Sequence, residues 1–144
     1  MILSVLCVLV VIVRMATVFT KIVNGEIPCY KVAETANSLA FLDVFPLAKG
    51  HVLVIPKKEI DSLFDLEEPL YTELLQFSKQ VAKAIKKAVP CIKVGVAVIG
   101  LEVPHAHIHL IPINKVSDIN FSLPKLKFSE TEMEEICEMI RAAF

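Results

Sequence analysis

The stretch VPHAHIHLIP, residues 103–112, constrains the fold more than any other part of this sequence. It holds three of the four histidines, spaced two residues apart: His105, His107 and His109. Successive side chains of a β-strand point to opposite faces, so this alternation predicts a strand with the imidazoles on one face, looking outward into a cleft or toward a partner. The other face should carry apolar side chains that a helix covers: Ala106, Ile108 and Leu110.

Two helical patterns accompany this strand. Apolar residues recur at helical spacing from Leu70 to Ile85, and Asp65 and Glu68 precede them at the spacing of a capping box. A second capping box, formed by Ser129 and Glu132, predicts the start of a C-terminal helix.

Short apolar runs predict the remaining elements. A short helix in VFTKIVNGEIP should end at Asn24-Gly25, and a hairpin should turn at Ala36-Asn37 between CYKVAET and SLAFLDV. HVLVIPK and KVGVAVIG are β-branched runs that indicate two further strands. The predicted class is therefore α+β: a five-stranded antiparallel sheet with a long helix on one face and a C-terminal helix, rather than a doubly wound sheet.

Composition narrows the possible functions. A chain of 144 residues fits one domain, and its formal net charge of −1 with no long basic block argues against binding to nucleic acid. The four cysteines include no C-x-x-C pair, which argues against a zinc ribbon, a thioredoxin-like motif or a disulfide framework. We expect reduced thiols in a cytoplasmic protein.

The first 14 residues form an apolar N-terminal extension before Met15. This segment is short for a bilayer span, and it lacks the basic region and cleavage site of a secretory signal. Three interpretations remain: a start codon assigned too far upstream, a weak membrane-surface anchor, or an extra strand or helix. We favour the first, with a domain over residues 15–144 and no membrane association.

Three interpretations of the alternating histidines compete. They could be ordinary polar residues on a sheet face, ligands of a catalytic metal, or a nucleophile with flanking groups that orient it and handle charge. His51 begins a neighbouring predicted strand and could join them. Among nearby acidic or thiolate companions for a metal, only Glu102 is present, so we favour the nucleophile.

The motif HAHIHLI resembles the signature of the histidine triad (HIT) family of nucleotide hydrolases and transferases, of the Hint-like type. Two upstream stretches, FTKIVNGEIP and FLDVFPLAKGHVLVIPKK, are similar to the family's other landmarks and occur in the same order. The resemblance covers essentially residues 15–113.

By this resemblance, His107 would attack the α-phosphorus of a nucleotide conjugate and form a transient nucleotidyl-histidine. His109 would contact the phosphate oxygens, His105 would hold the orientation of the triad, and His51 would belong to the same network. Asp43 would bind the ribose hydroxyls. The family's apolar walls around the base match residues that, without the resemblance, would be assigned to the core: Phe19, Ile22, Phe41, Val44 and Leu53.

Two departures from the family matter. In VIGLEVP the pre-triad loop is shortened and carries Glu102 where relatives have polar neutral residues, which puts the leaving group in doubt. There, a carboxylate would repel phosphate if ionised, or act as a general acid if its pKa were raised. Some bacterial relatives bind zinc through a cysteine pair where this chain has Thr17 and Thr20, so we expect no structural zinc.

The resemblance implies a homodimeric nucleotide phosphoramidase or hydrolase that needs no cofactor or metal and acts on a purine nucleotide conjugate. A dinucleoside polyphosphate hydrolase and a nucleotide-binding regulatory module with weak chemistry remain as alternatives. Fold and motif are shared across several nucleotide chemistries, so neither the physiological substrate nor the base preference follows from them.

Overall fold

A computed structural model of the protein describes residues 15–144. The apolar extension 1–14, including the question of its true start, lies outside the described residues. Between residues 15 and 144, no helix is long and apolar enough to cross a membrane.

The described part of the chain contains three α-helices and two short 3-10 helices. They are α1 (Val18–Val23), α2 (Leu70–Ala88) and α3 (Glu130–Arg141), with the 3-10 turns at Leu63–Asp65 and Val116–Asp118. The first helix ends at Asn24, followed by Gly25 at a φ of 76°, as predicted. The capping box at the start of α3 is also confirmed, since Ser129 and Glu132 exchange side-chain to backbone hydrogen bonds.

The sheet has five antiparallel strands in the order β1-β2-β3-β5-β4. The strands are β1 (Lys31–Glu34), β2 (Ser38–Leu42), β3 (Val52–Pro56), β4 (Lys93–Ala97) and β5 (Ile108–Ile113). The predicted hairpin joins β1 to β2. The predicted α+β class and its five-stranded antiparallel sheet are confirmed. β4 ends earlier than KVGVAVIG suggested, so residues 98–104 form an irregular loop before the triad.

Both long helices pack on the same face of the sheet. The main core contains Leu74, Val81 and Ile85 of α2 together with Ile136 and Ile140 of α3. Complete burial of an aliphatic side chain of this size contributes roughly 1.5–3 kcal/mol to the stability of the folded protein. The predicted apolar face of the triad segment belongs to this core: Ala106, Ile108 and Leu110.

A smaller apolar cluster lies apart from the main core and includes Phe19 of α1. Its other buried members come from the two central strands: Leu39, Phe41, Leu53 and Ile55. Side chains alternate along a strand, so β2 and β3 contribute to both clusters. The histidines of the triad segment alternate in the same way with the apolar residues of the main core.

The triad strand begins later than predicted. β5 starts at Ile108, so His105 and His107 precede the strand and only His109 lies within it. Pairing with β3 reaches no further than Val54 and Ile108. Two residues beyond Val54 comes Pro56, which has no backbone N–H to donate to a ladder. The triad backbone is held by another contact, in which the N–H of Ala106 donates to the carbonyl of Ile60 at 2.6 Å.

The predicted capping box at the start of α2 is wrong. The cap position is occupied by Pro69, whose side chain makes no capping hydrogen bond, and Asp65 belongs to the preceding 3-10 turn. A residue that precedes a proline is pushed away from helical backbone angles, so Glu68 cannot extend the helix backward. Its carboxylate instead accepts hydrogen bonds from the backbone N–H and the hydroxyl of Thr72.

Candidate active site

The fold brings all four histidines into one cluster. His51 immediately precedes β3, and His109 on β5 lies beside Leu53 in the ladder between these strands. The rings of His107 and His109 are 4.9 Å apart, and those of His51 and His109 are 5.2 Å apart. The cluster is less open than predicted, because all four side chains are buried, with His107 and His109 retaining 7% and 8% exposure.

Hydrogen bonds define the protonation pattern of His51 and His109. The backbone N–H of Leu47 donates to Nδ1 of His51 at 3.0 Å, so a neutral His51 carries its proton on Nε2. That N–H donates to Nδ1 of His109 at 3.0 Å. The proton of His109 is therefore on Nε2, which faces away from His51 as a hydrogen-bond donor.

His107 has the opposite arrangement. Its Nδ1 lies 2.7 Å from the carbonyl oxygen of His105, which can only accept, so Nδ1 carries the proton. In the neutral ring the lone pair is then on Nε2. Within residues 15–144, His107 makes its side-chain hydrogen bond through Nδ1 alone. The hydrogen bond thus orients the ring with the lone pair on Nε2.

His105 is the most deeply buried member of the triad. Its Nε2 donates to the carbonyl of Pro56 at 2.7 Å, and its Nδ1 lies 3.1 Å from the hydroxyl of Thr17. The ring of Phe19 packs edge-on against both His105 and His107, at 5.8 and 5.1 Å. Helix α1 therefore covers the first two histidines of the triad.

Burial favours the neutral form of His51, His105 and His109. Desolvation lowers the pKa of His51 to about 4, with a smaller contribution from the charge of Lys125. Desolvation also lowers the pKa of His109 to about 4, and the nearby His51 and His107 add to the effect while Asp43 opposes it. The pKa of His105 is lowered by burial as well. The flanking histidines are therefore neutral and do not supply the positive charge of protonated rings, and the N–H of His109 is the donor that remains available.

Asp43 lies beside this network at the end of β2. Its Oδ2 is 3.5 Å from Nε2 of His51, and its Oδ1 accepts a hydrogen bond of 2.8 Å from the backbone N–H of Phe45. One carboxylate oxygen is thereby anchored, which fixes the side chain at the edge of the histidine cluster.

Asp43, His51 and His109 bring donor atoms within 4.8 Å of one another, a spacing that a metal ion could use. A histidine ligand needs a lone pair on the coordinating nitrogen. The N–H of Leu47 occupies the lone pair of Nδ1 in His51, so Nε2 is the protonated nitrogen. The hydrogen-bond pattern therefore disfavours a metal at this cluster.

The residues assigned to the base pocket do not all come together. Phe19, Phe41 and Leu53 are buried in the smaller apolar cluster, with Ile22 partly buried against it. Val44 lies outside that cluster and is 59% exposed. Glu102 lies in the loop before the triad with its side chain exposed.

Two further residues, Phe121 and Lys125, lie on another side of the cluster and were not predicted from the sequence. The ring of Phe121 packs edge-on against His109 at 4.8 Å, and Lys125 Nζ lies 5.6 Å from the centre of the Phe121 ring. Lys125 also donates to the carbonyl of Phe121 at 2.5 Å. Both residues follow β5 in a segment without helical or strand periodicity, so no local pattern could have identified them.

A family model described as the HIT domain matches residues 24–116. The chain belongs to the HIT family. The match includes His51 and the three histidines of the triad, whereas Thr17, Phe19 and Phe121 lie outside it.

Curated and solved relatives agree with this assignment. The HIT chain is 38% identical over 128 residues to adenosine 5'-monophosphoramidase hnt1 of Schizosaccharomyces pombe, an alignment that covers 88% of this chain and 96% of the relative. It is 40% identical over 98 residues to adenosine 5'-monophosphoramidase HNT1 of Saccharomyces cerevisiae, covering 67% of this chain and 62% of that one. A crystal structure of a Hit-like protein from Bartonella henselae superposes with a TM-score of 0.78 at 32% identity, covering 89% of this chain and 96% of that one.

Proposed function

We propose that this protein is a nucleotide phosphoramidase or closely related hydrolase, which cleaves the bond between the α-phosphorus of a nucleotide and its leaving group through His107. The observation that carries the proposal is the hydrogen bond from Nδ1 of His107 to the carbonyl of His105, which leaves Nε2 with its lone pair. The family membership and the phosphoramidase names of the fungal relatives support the same activity.

In the proposed first step, Nε2 of His107 attacks the α-phosphorus and a phosphorus–nitrogen bond to the ring forms. The bond to the leaving group breaks, and an amine leaves with a proton taken up from the solvent side of the site. Water then attacks the same phosphorus and releases the nucleoside monophosphate, which regenerates the free ring. The covalent intermediate divides one difficult displacement into two easier ones.

Charge develops on the phosphoryl oxygens during both displacements, and His109 is suited to meet it. Its Nε2–H is the donor left free by the bond from His51. A preoriented donor stabilises developing charge without reorganising in the transition state. An arriving phosphate would also raise the pKa of His109 toward its ordinary value, because a nearby negative charge favours the protonated ring.

For the nucleoside, we propose that Asp43 accepts hydrogen bonds from the ribose hydroxyls and that a purine packs near α1. The carboxylate has the acceptor capacity for a pair of hydroxyls while one oxygen remains anchored to Phe45. Of the residues assigned to the base walls, Ile22 and Val44 retain surface for such a contact, whereas Phe19, Phe41 and Leu53 support it from the core.

Incubation with an adenosine phosphoramidate, followed by phosphorus NMR, tests the activity. We expect AMP release by the wild-type protein and its loss in His107→Asn, which keeps a side chain of similar polarity but removes the nucleophilic nitrogen. Rapid quenching and mass spectrometry should detect the nucleotidyl group on a peptide that contains His107. Preferential turnover of a dinucleoside polyphosphate would favour that alternative, and binding without turnover would favour the regulatory module.

We further propose that the protein is a homodimer that pairs through β4. One edge of β4 pairs with β5, and β4 ends the described sheet. Exposed apolar side chains occur on β4, directly before it and in the loop after it: Ile92, Val96, Val98 and Ile99. An exposed apolar sheet edge is a surface that proteins normally cover.

A cytoplasmic location is part of the proposal. Among residues 15–144, the three cysteines are free thiols: Cys29, Cys91 and Cys137. Reduced thiols are typical of the cytoplasm. Fractionation of the natural host cells would test this location.

A further inference from the structure

A hydrogen-bonded cluster outside the expected catalytic group connects α1 to the triad. A single carboxylate oxygen of Glu59, Oε2, accepts from the backbone N–H of Thr17 at 3.2 Å and from the hydroxyl of Thr20 at 2.5 Å. The hydroxyl oxygens of Thr17 and Thr20 lie 3.1 and 3.4 Å from Nδ1 of His105. Glu59 itself follows β3, between Pro56 at the end of the strand and Ile60, whose carbonyls both accept hydrogen bonds from the triad segment.

The supply of protons determines the direction of these bonds. Each hydroxyl has one proton, and that of Thr20 is used by the carboxylate of Glu59. The hydroxyl of Thr17 lies 3.2 Å from the hydroxyl oxygen of Thr20 and 3.1 Å from Nδ1 of His105, and it has one proton for the two. Because Nε2 of His105 donates to Pro56, Nδ1 of the neutral ring needs a donor, so we assign the Thr17 proton to His105. The oxygen of Thr17 also accepts from the N–H of Thr20 as the N-cap of α1.

This cluster reaches the proposed nucleophile by two routes. The ring of His105 is held at both nitrogens, and its backbone carbonyl accepts the proton of Nδ1 in His107. Helix α1, whose first turn is tied to Glu59, places the ring of Phe19 against His107. A change at Glu59 would therefore disturb both the partner that orients His107 and the ring that covers it.

We propose that Glu59 is a positioning residue for the triad, acting through Thr17 and Thr20 to hold α1 and His105 in the arrangement that fixes His107. Glu59 does not touch the reacting atoms in this proposal. The expected effect of Glu59 on turnover rests on the proposed function. The expected effect of Glu59 on the tautomers of the histidine rings does not.

Turnover of an adenosine phosphoramidate by Glu59→Ala and Thr20→Val gives the first test. A small displacement of reacting groups can cost on the order of 10²-fold in rate, so we expect kcat to fall by about 10–100-fold, with a much smaller change in KM. Glu59→Gln keeps a carbonyl acceptor and should restore part of the loss. Asp61→Asn is the matched control, since it removes an exposed carboxylate from the neighbouring turn and should leave kcat unchanged.

Long-range proton–nitrogen NMR of the full-length protein gives a second test without substrate. In the wild type we expect protonated Nε2 on His105 and protonated Nδ1 on His107, and in Glu59→Ala a mixture of tautomers on both rings. Unaltered tautomers in Glu59→Ala would overturn the proposal, as would a kcat that stays within twofold of the wild type. If the wild type turns over no nucleotide conjugate, the proposed function fails and the tautomers alone decide the role of Glu59.

Discussion

Nε2 of His51 and Nδ1 of His109 lie 3.0 Å apart, and the backbone N–H of Leu47 determines which of them carries the proton. A loop amide thereby sets the tautomer of a ring on β5 that it does not contact. Leu47 donates to His51, and His51 donates to His109, so the N–H of His109 is left at the end of the chain as a donor suited to a phosphate oxygen.

The neutral pair predicts a loss of stability in mild acid. Each ring has a pKa of about 4 in the folded protein and 6.5 as the ordinary value, so between these values the unfolded chain binds protons that the native state does not. The free energy of unfolding should decrease as pH falls from 6.5 toward 4, by about 3 kcal/mol for one such ring. Urea denaturation across this range measures the slope.

His109→Gln provides the control for this slope, because glutamine keeps an acceptor for His51 and does not titrate. Its stability should depend less steeply on pH in the same range. Glu34, whose pKa is lowered from 4.5 to about 2 by hydrogen bonds from Lys31 and Lys57, begins to lose its contribution near pH 4.5. It is present in both proteins, so its contribution cancels in the comparison of their slopes. Equal slopes in the two proteins would contradict the assignment of the slope to the histidine pair.

Gly50 directly precedes His51 in the chain, and we predict that Gly50→Ala is destabilising. Its φ is 85°, and an added Cβ would lie 2.8 Å from Cγ2 of Val89, which is within the packed core. The left-handed conformation costs a non-glycine residue roughly 1–2 kcal/mol, and the contact should add ~1 kcal/mol or more. Gly25→Ala separates the backbone cost from the cost of the contact, since Gly25 has a φ of 76° and open space around it.

Chemical denaturation of both glycine variants measures the difference between them. We expect Gly50→Ala to lose more stability than Gly25→Ala. The NMR resonances of His51 should shift only in Gly50→Ala. Similar losses would mean that Val89 relaxes away without cost.

The proposed dimer predicts that a charge on β4 separates the subunits. Val96 is 62% exposed on this strand, and Val96→Lys would place an ammonium group in the proposed contact. Light scattering after size-exclusion chromatography should give a dimer for the wild type and a monomer for this variant. Met139→Lys is the control, because Met139 is exposed on α3, which packs toward the opposite edge at β1. A wild-type monomer, or a dimeric Val96→Lys, would reject the contact.

Local patterns in the sequence predicted much of the fold. The alternation of apolar residues with histidines, at every second position, assigned Ala106, Ile108 and Leu110 to the core. The Ser129 capping box located the start of α3. Each of these features depends on neighbours within a few residues, which is why a single sequence contains them.

Features that depend on distant partners could not be predicted in the same way. The start of β5 depends on Pro56 in another strand. The start of α2 is a different case, because the restriction that Pro69 places on Glu68 is local and the capping-box spacing alone did not account for it. Contacts of Phe121 with His109 and of Glu59 with Thr20 join residues far apart in the chain. The tautomers depend on a backbone amide at Leu47, whose identity as a residue is irrelevant to the hydrogen bond.

Glu102 leads to the remaining prediction, which concerns the leaving group. Its side chain is exposed in the loop of residues 98–104, while Asp43, proposed to bind the ribose, directly follows β2 and His109, proposed to contact the phosphate, lies in β5. Glu102→Gln and Glu102→Ser should therefore change the relative rates for amine and phosphate leaving groups more than they change nucleotide affinity. An ionised carboxylate repels an anionic leaving group, so both variants should favour phosphate leaving groups. Competition kinetics with one nucleotide and two leaving groups measure the ratio, and an unchanged ratio would exclude Glu102 from leaving-group selection.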